Sequence, residues 1–407
     1  MAVLKPFRGL RPPATLVGEL STPPYDVVSA AEAREKALGK EKSFFHISRP
    51  EVGLAEGVDE HSEEVYREGT RQLAKFLKNG WLVHDALPAY YAYRQKMGSH
   101  VQTGLVAAAS VAAYDKGLIK KHELTRADKE DDRTRHIEAL LANDEPVFLT
   151  YRRRAQIDEL MNEATESSPA FNFQAEDGVT HTFWVVEAAL NARLEQAFVD
   201  VPSLYIADGH HRSAAASRVR TRLAEQGKGG AGRDFFLTVV FPHNQMQILP
   251  YNRLVRDLAG YDPQTLAVRL RDQFEVSVGN AKEPSQPHHF GMYLDGRWFR
   301  LVARPGSFDN TPLGVLDVSI LQANLLGPLL GIKDPRTDGR IGFVGGIRGL
   351  GELERRVNSE EYRVAFALHA TSLDQLMAIA DANAIMPPKS TWFEPKLRSG
   401  LVLHPFE

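Results

Sequence analysis

The chain has 407 residues, enough for two or three domains with a sizeable core. Its 49 basic and 52 acidic side chains leave a formal charge of −3, so the overall balance gives no electrostatic reason to expect nucleic-acid binding. Cysteine is absent, which excludes disulfides, thiolate metal sites and cysteine nucleophiles. No apolar run approaches the roughly 20 residues that span a bilayer, and the first residues lack the apolar core of a signal peptide. The expectation is a cytoplasmic protein with no membrane partner.

The segments "PFRGLRPP" and "STPPYDVVS" are stiffened by proline and read as loops or edge structure. Val58, Val65, Leu73, Phe76 and Leu77 recur at helical spacing, and Gly80 is placed to end that helix. "PAYYAYRQKMGSHVQTGLVAAASVAAY" predicts a hairpin turning at Gly98-Ser99, and "FNFQAEDGVTHTFWVVE" a second at Asp177-Gly178. Between them, Ile137, Leu140 and Leu141 share one helical face. A helix over 188–198 precedes the stretch "SLYIADGHHRSAAASRVRTRLAEQ", which reads as strand, turn and strong helix former. The strand "DFFLTVVF" follows a glycine-rich break. A softer boundary falls near Gly260, dividing the chain into 1–259 and 260–407. Beyond it come Asp262 as an N-cap before Pro263, a hairpin at Asp295-Gly296 and an apolar helix around 316–330. The strand "RVAFALHA" and the helix "SLDQLMAIADAN" precede the tail. Irregular alternation with several hairpins predicts α+β, with mixed or antiparallel sheets and packed helices.

The chemistry concentrates in "ADGHHR". A helix starting after Gly209 aims free backbone N–H groups and its positive dipole end at the turn. Such a place attracts anions, and the Arg212 guanidinium suits phosphate oxygens. Asp208 fits this picture if it caps the helix, orients His210 or His211, or meets a cation that accompanies the phosphate. Ordinary capping explains an Asp-Gly pair almost as well. Metal ligation ranks lower, because adjacent histidines diverge and no spaced histidine array completes the set.

"IKKHELTRADKEDDR" gathers His122, Glu123 and Arg126 in a charge run, which by composition alone is a solvated face. In "MPPKSTWFEPK" two prolines hold Lys389, Ser390 and Thr391 in a stiff loop suited to gripping a phosphate or carboxylate. "FVGGIRGLGELERR" is a weaker anion site, since no Gly-Lys-Ser/Thr follows the glycines. Tyr25 and Asp26 of "PPYDVV" read as a turn, with ligand contact as the minority reading.

"YIADGHHRSAAA", "IKKHELTRADKEDDR" and "MPPKSTWFEPKLRSGL" together resemble a bacterial and archaeal family catalogued as domain of unknown function 1015. The resemblance runs over essentially the whole chain and implies no established activity. The pair "HELT" and "DGHHR" is also similar to the ParB/sulfiredoxin-like fold, which includes free-serine kinases, and implies a core of that kind. In that group the turn holds nucleotide phosphates, and an upstream glutamate is base toward the serine hydroxyl. Carried over, Asp208, Gly209, His210, His211 and Arg212 bind phosphate beside Arg126, and Glu123 is the base with His122 next to it. ATP or ADP is then the nucleotide, with Mg²⁺ sharing the phosphate charge and Asp208 near it. About eighty-five residues separate Glu123 from Asp208, a departure from the compact kinases. Sulfiredoxin chemistry is excluded because it needs a cysteine.

The expected function is a nucleotide-dependent phosphotransferase acting on a small, serine-like hydroxylated metabolite. The alternatives are a regulatory protein that binds a nucleotide or phosphometabolite without catalysis, and a metal-dependent hydrolase built on His210 and His211.

Overall fold

The computed structural model describes residues 3–279 and 283–406. They form two compact units, one of residues 3–246 with 395–406 and one within residues 247–394. The chain therefore divides at 246/247 and not at 259/260, and its tail rejoins the first unit. Long-range pairing sets both limits. Tyr251–Val255 is hydrogen-bonded to Ile341–Gly345 and Val364–Leu368, while His404–Pro405 pairs with Ala142–Asn143. Neither partnership leaves a trace in local composition.

The strands of the two large sheets are numbered in chain order. In the first unit β1 is Leu4–Lys5, β2 Tyr91–Met97, β3 His100–Ser110, β4 Ile119–Lys120 and β5 Val147–Tyr151. There follow β6 Phe171–Gln174, β7 Thr180–Val185, β8 Leu204–Asp208 and β9 Phe235–Pro242. Their order is β4-β8-β5-β9-β3-β2-β7-β6, with β1 beside β3. Pairing is antiparallel except for β4 with β8 and β5 with β9. The hairpin at Gly98-Ser99 forms as the sequence predicts: Met97 faces His100 across a two-residue loop, and Gly98 takes φ +60°. At the second hairpin Asp177 Oδ1 accepts from the Val179 amide at 3.0 Å.

Five helices of this unit matter below: α1 Glu63–Lys78, α2 Ala127–Leu140, α3 Ala155–Ala164, α4 Ala188–Val199 and α5 His210–Glu225. Ile157, Leu160, Leu194 and Phe198 of α3 and α4 join Val147, Leu149, Ile206 and Val240 of the sheet in the main core. Ile137 of α2 packs on Ala215, Val219 and Leu223 of α5. The alanines after the DGHHR turn are buried, and their small volume lets α2 approach α5 closely.

The second unit is built on an antiparallel sheet of β10 Tyr251–Val255, β11 Phe274–Val278, β12 His289–Leu294, β13 Arg297–Ala303, β14 Ile341–Gly345 and β15 Val364–Leu368. Their order is β11-β13-β12-β15-β10-β14. Asp295 and Gly296, at φ +51° and +71°, make the predicted two-residue hairpin. Asp262 caps the helix Pro263–Arg269 by accepting from the amides of Gln264 and Thr265 at 3.0 and 2.9 Å. The expected helix over 316–330 is regular only across Asp317–Leu321, then widens into a π turn at Gln322–Leu326. There the Gln322 carbonyl accepts from the Gly327 amide, and its side chain donates to the Ile332 carbonyl at 2.7 Å. Both units mix helices with largely antiparallel sheets, so the fold is α+β. Among the described residues no helix is long and apolar enough to cross a membrane.

His404 anchors the returning tail. It is buried with Nδ1 3.2 Å from Asn143 Oδ1, and burial lowers its pKa from 6.5 to about 4. The folded state therefore resists protonation that the unfolded chain accepts, so this contribution is present above pH 6.5 and lost as pH falls towards 4. Unfolding free energies at pH 7.5 and 4.5 are expected to differ less in His404→Gln than in the wild type, by on the order of 3 kcal/mol. An unchanged difference would contradict burial of the tail.

Candidate functional site

The parallel pair β4/β8 explains why two distant sequence segments meet. Ile119 lies opposite Leu204 and Lys120 opposite Tyr205, so both strands run the same way and end at the same edge. The segments that follow the two strands therefore leave the sheet at the same edge. His122 and Glu123 follow β4, and the Asp208–Arg212 turn follows β8.

Gly209 turns the chain from β8 into α5 at φ +96°, a conformation that penalises any side chain. A Cβ there would also lie 3.3 Å from the Arg212 guanidinium and 3.4 Å from the Val147 backbone. Asp208 folds back on the turn, its Oδ1 accepting from the Gly209 amide at 2.8 Å. Its Oδ2 accepts from Lys396 Nζ at 3.1 Å. Burial alone would raise the Asp208 carboxyl, but Lys396 and Arg212 outweigh it and hold the group well below the usual carboxylate range.

Arg212 is buried and committed to protein partners. Nη2 donates to Asp26 Oδ2 at 3.1 Å and lies 3.9 Å from Asp208 Oδ1, while Nη1 donates to the Pro146 carbonyl. The guanidinium expected to grip a phosphate is thus held by three chain segments: it is itself buried, while Asp26 and Asp208 reach it from the protein surface. Behind it, Arg133, Asp144 and Glu145 line a cavity of about 10 Å³, room for one water. Burial, reinforced by Asp144, raises the Glu145 carboxyl, which accepts from Ser399 Oγ at 2.6 Å.

The HELT segment is tied to the helix start through its backbone. The His122 amide donates to His210 Nε2 at 3.5 Å, and the Arg126 amide to His211 Nε2 at 3.0 Å. The two adjacent imidazoles thus replace the ladder partners that an irregular segment lacks. An Nε2 that accepts leaves the proton of a neutral ring on Nδ1, and in His210 that atom lies 3.9 Å from Glu123 Oε2. Burial, and then the neighbouring His122 ring, drives the His210 pKa well below 6.5, so the ring is neutral at pH 7. His211 is also lowered, by burial and by Arg212. His122 meets His210 edge to face at 4.5 Å between centroids. Burial lowers it to about 4, against pulls from Asp208 and the Ile206 carbonyl. Its Nδ1 is buried with no hydrogen-bond partner. Glu123 is half exposed, so a ligand reaching the helix start passes its carboxylate.

Ligand atoms of His122, Glu123 and His210 all lie within 4.8 Å of one another, a set that can hold a metal ion. Two nitrogens and one oxygen suit a transition metal better than Mg²⁺, which prefers oxygen. At Asp208, Oδ2 accepts from Lys396 Nζ and Oδ1 from the Gly209 amide, so a Mg²⁺ there would compete with an ammonium for the carboxylate. Arg126 is exposed and pairs with Asp128 at 2.8 Å, a surface contact that a ligand can displace. Lys389 and Ser390 belong to the second unit. Lys389 is exposed there, and Ser390 Oγ donates to the Pro387 carbonyl at 2.6 Å. Sequence reasoning missed Lys396 and Pro146 altogether, since nothing local marks them, and it took Asp26 mainly for a turn former.

The chain belongs to the family described as "Protein of unknown function (DUF1015)", which matches residues 4–319. No curated protein matches it. Similar solved structures include a free serine kinase in complex with AMP, at 12% identity and TM-score 0.34, covering 71% of this chain and 86% of that one. A conserved hypothetical protein from Pyrococcus furiosus is 13% identical at TM-score 0.35, covering 72% and 92% of the two chains. SbnI with C-terminal truncation from Staphylococcus aureus is 11% identical at TM-score 0.39, covering 72% and 84%.

A double-mutant cycle between Asp26→Asn and Arg212→Gln is expected to give a coupling energy of about 0.5–1 kcal/mol in denaturant unfolding, since one member of the pair is buried and the other reaches the surface. Strict additivity would show that the two do not interact.

Proposed function

We propose that this member of the family binds the phosphates of a nucleotide, ATP or ADP, at the start of α5 and passes a phosphoryl group to a small hydroxylated metabolite. Glu123 accepts the hydroxyl proton. The supporting observation is the placement of Glu123: its carboxylate is half exposed and 3.9 Å from Nδ1 of His210, the first residue of α5. First-turn amides have no acceptor one turn earlier, so they suit an anion arriving at the same edge. His210, being neutral, lies beside Glu123 without cancelling its charge.

In the step proposed, the acceptor oxygen forms a new P–O bond while the bond to the leaving nucleotide breaks. The leaving nucleotide keeps that electron pair, and the acceptor's proton goes to Glu123. Arg212 is a positioning residue here, and Arg126 is the cation within reach of the phosphate. Serine-like acceptors are the class to try first. The closeness of His122, Glu123 and His210 favours a second reading, a metal-assisted hydrolase, for which the purified protein carries a stoichiometric transition metal.

Glu123→Gln is expected to lower turnover at least about 100-fold in a screen of ATP and ADP against hydroxylated amino acids. Its nucleotide affinity stays within about threefold of the wild type. A variant that turns over normally would remove Glu123 from the chemistry. A wild type that binds nucleotide yet turns over nothing would be a regulator.

A further inference from the structure

The second unit contains a positive charge that its surroundings leave unanswered. Arg253, on β10, is 4% exposed. Its guanidinium donates to the Tyr251 carbonyl and, at 3.3 Å, to the Pro388 carbonyl. Among the described residues no carboxylate pairs with it, whereas Arg133 faces Asp132 and Arg212 faces Asp26. Its other neighbours are aromatic faces, with the Phe343 centroid at 5.1 Å and the Tyr251 centroid at 6.0 Å. Burial without an opposing charge lowers even this guanidinium to about 10. Two carbonyl dipoles and two ring faces offset only part of the desolvation of a buried cation.

Lys389 brings a second cation to the same ring. Its Nζ lies 5.6 Å from the Tyr251 centroid and faces that ring in place of a carboxylate. Its backbone sits at φ +55°, a left-handed conformation uncommon for a residue with a side chain. The loop keeps that conformation because Ser390 Oγ donates to the Pro387 carbonyl and Thr371 Oγ1 donates to the Ser390 carbonyl at 3.0 Å. Trp392 closes the wall, edge-on to Tyr251 at 5.2 Å. A fixed, strained loop thus brings an exposed ammonium and a buried guanidinium to one aromatic ring.

We infer that Arg253 and Lys389 form an oxyanion site in the second unit that takes a phosphate group, with Tyr251 as its wall. A phosphate dianion balances both cations, whereas a carboxylate balances one. The site is independent of the Glu123 chemistry, and it assigns Lys389 a ligand without requiring that it meet the start of α5.

The test is calorimetric titration of the full chain with inorganic phosphate at constant ionic strength, with acetate as the second arm. Lys389 is exposed, so Lys389→Ala is expected to fold normally and to weaken one phosphate site at least tenfold. Arg253→Met, checked for folding by circular dichroism, is expected to lose the same site. Phosphate bound at the start of α5 survives Lys389→Ala. An isotherm unchanged by that substitution would therefore overturn this site while leaving the Glu123 reading standing. No phosphate heat in the wild type, or acetate binding as tightly as phosphate at the Lys389-dependent site, would overturn it too.

Discussion

The Arg212 guanidinium is the charge on which the geometry of the candidate site depends. It is buried itself and gathers Asp26, the Pro146 carbonyl and Asp208 around it, although the chain visits them far apart. Without it, Asp208 would keep Lys396 but lose a second cation, and the glycine turn into α5 would lose its brace. An ion cluster around a buried guanidinium adds little net stability compared with apolar packing, but removing one member is costly. Its effect is to specify one conformation of the turn. The first amides of α5 then have fixed positions, as an anion site requires.

The same economy governs His210 and His211. Adjacent histidines suggest either a metal site or surface filler, and here both rings instead accept from backbone amides of the HELT segment. That use sets the tautomer of His210 and leaves its Nδ1 proton towards Glu123. His122, buried behind His210 with an unpartnered Nδ1, completes a polar cluster beside the Asp208 carboxylate. Neutral rings are the affordable choice at such a place, since a charged imidazole would lose its hydration without a full counter-charge.

How much of this could be read from the residues follows the range of the interactions. Gly98-Ser99 and Asp295-Gly296 were legible because a two-residue hairpin is dictated by backbone preferences at the turn itself. The strand, turn and helix around Gly209 were legible for the same reason, and the burial of Ala214 to Ala216 agrees with their small size. The parallel pairing of β4 with β8 was not legible, because it joins segments more than eighty residues apart through only two register positions. Lys396 was invisible in the same way, as the partner of an aspartate 188 residues earlier. The protein partners of Arg212 were not legible either: Asp26 lies 186 residues before it and the Pro146 carbonyl 66. The boundary near Gly260 failed because a strand's partners, not its flanking glycines, decide which unit it joins.

The most direct test is backbone-amide NMR of the chain titrated with ADP. The first-turn amides of α5, at His210, His211 and Arg212, should shift with one saturating curve shared by residues 123–126. If ADP binds and those resonances stay unmoved while others respond, the helix start is not where the phosphates dock.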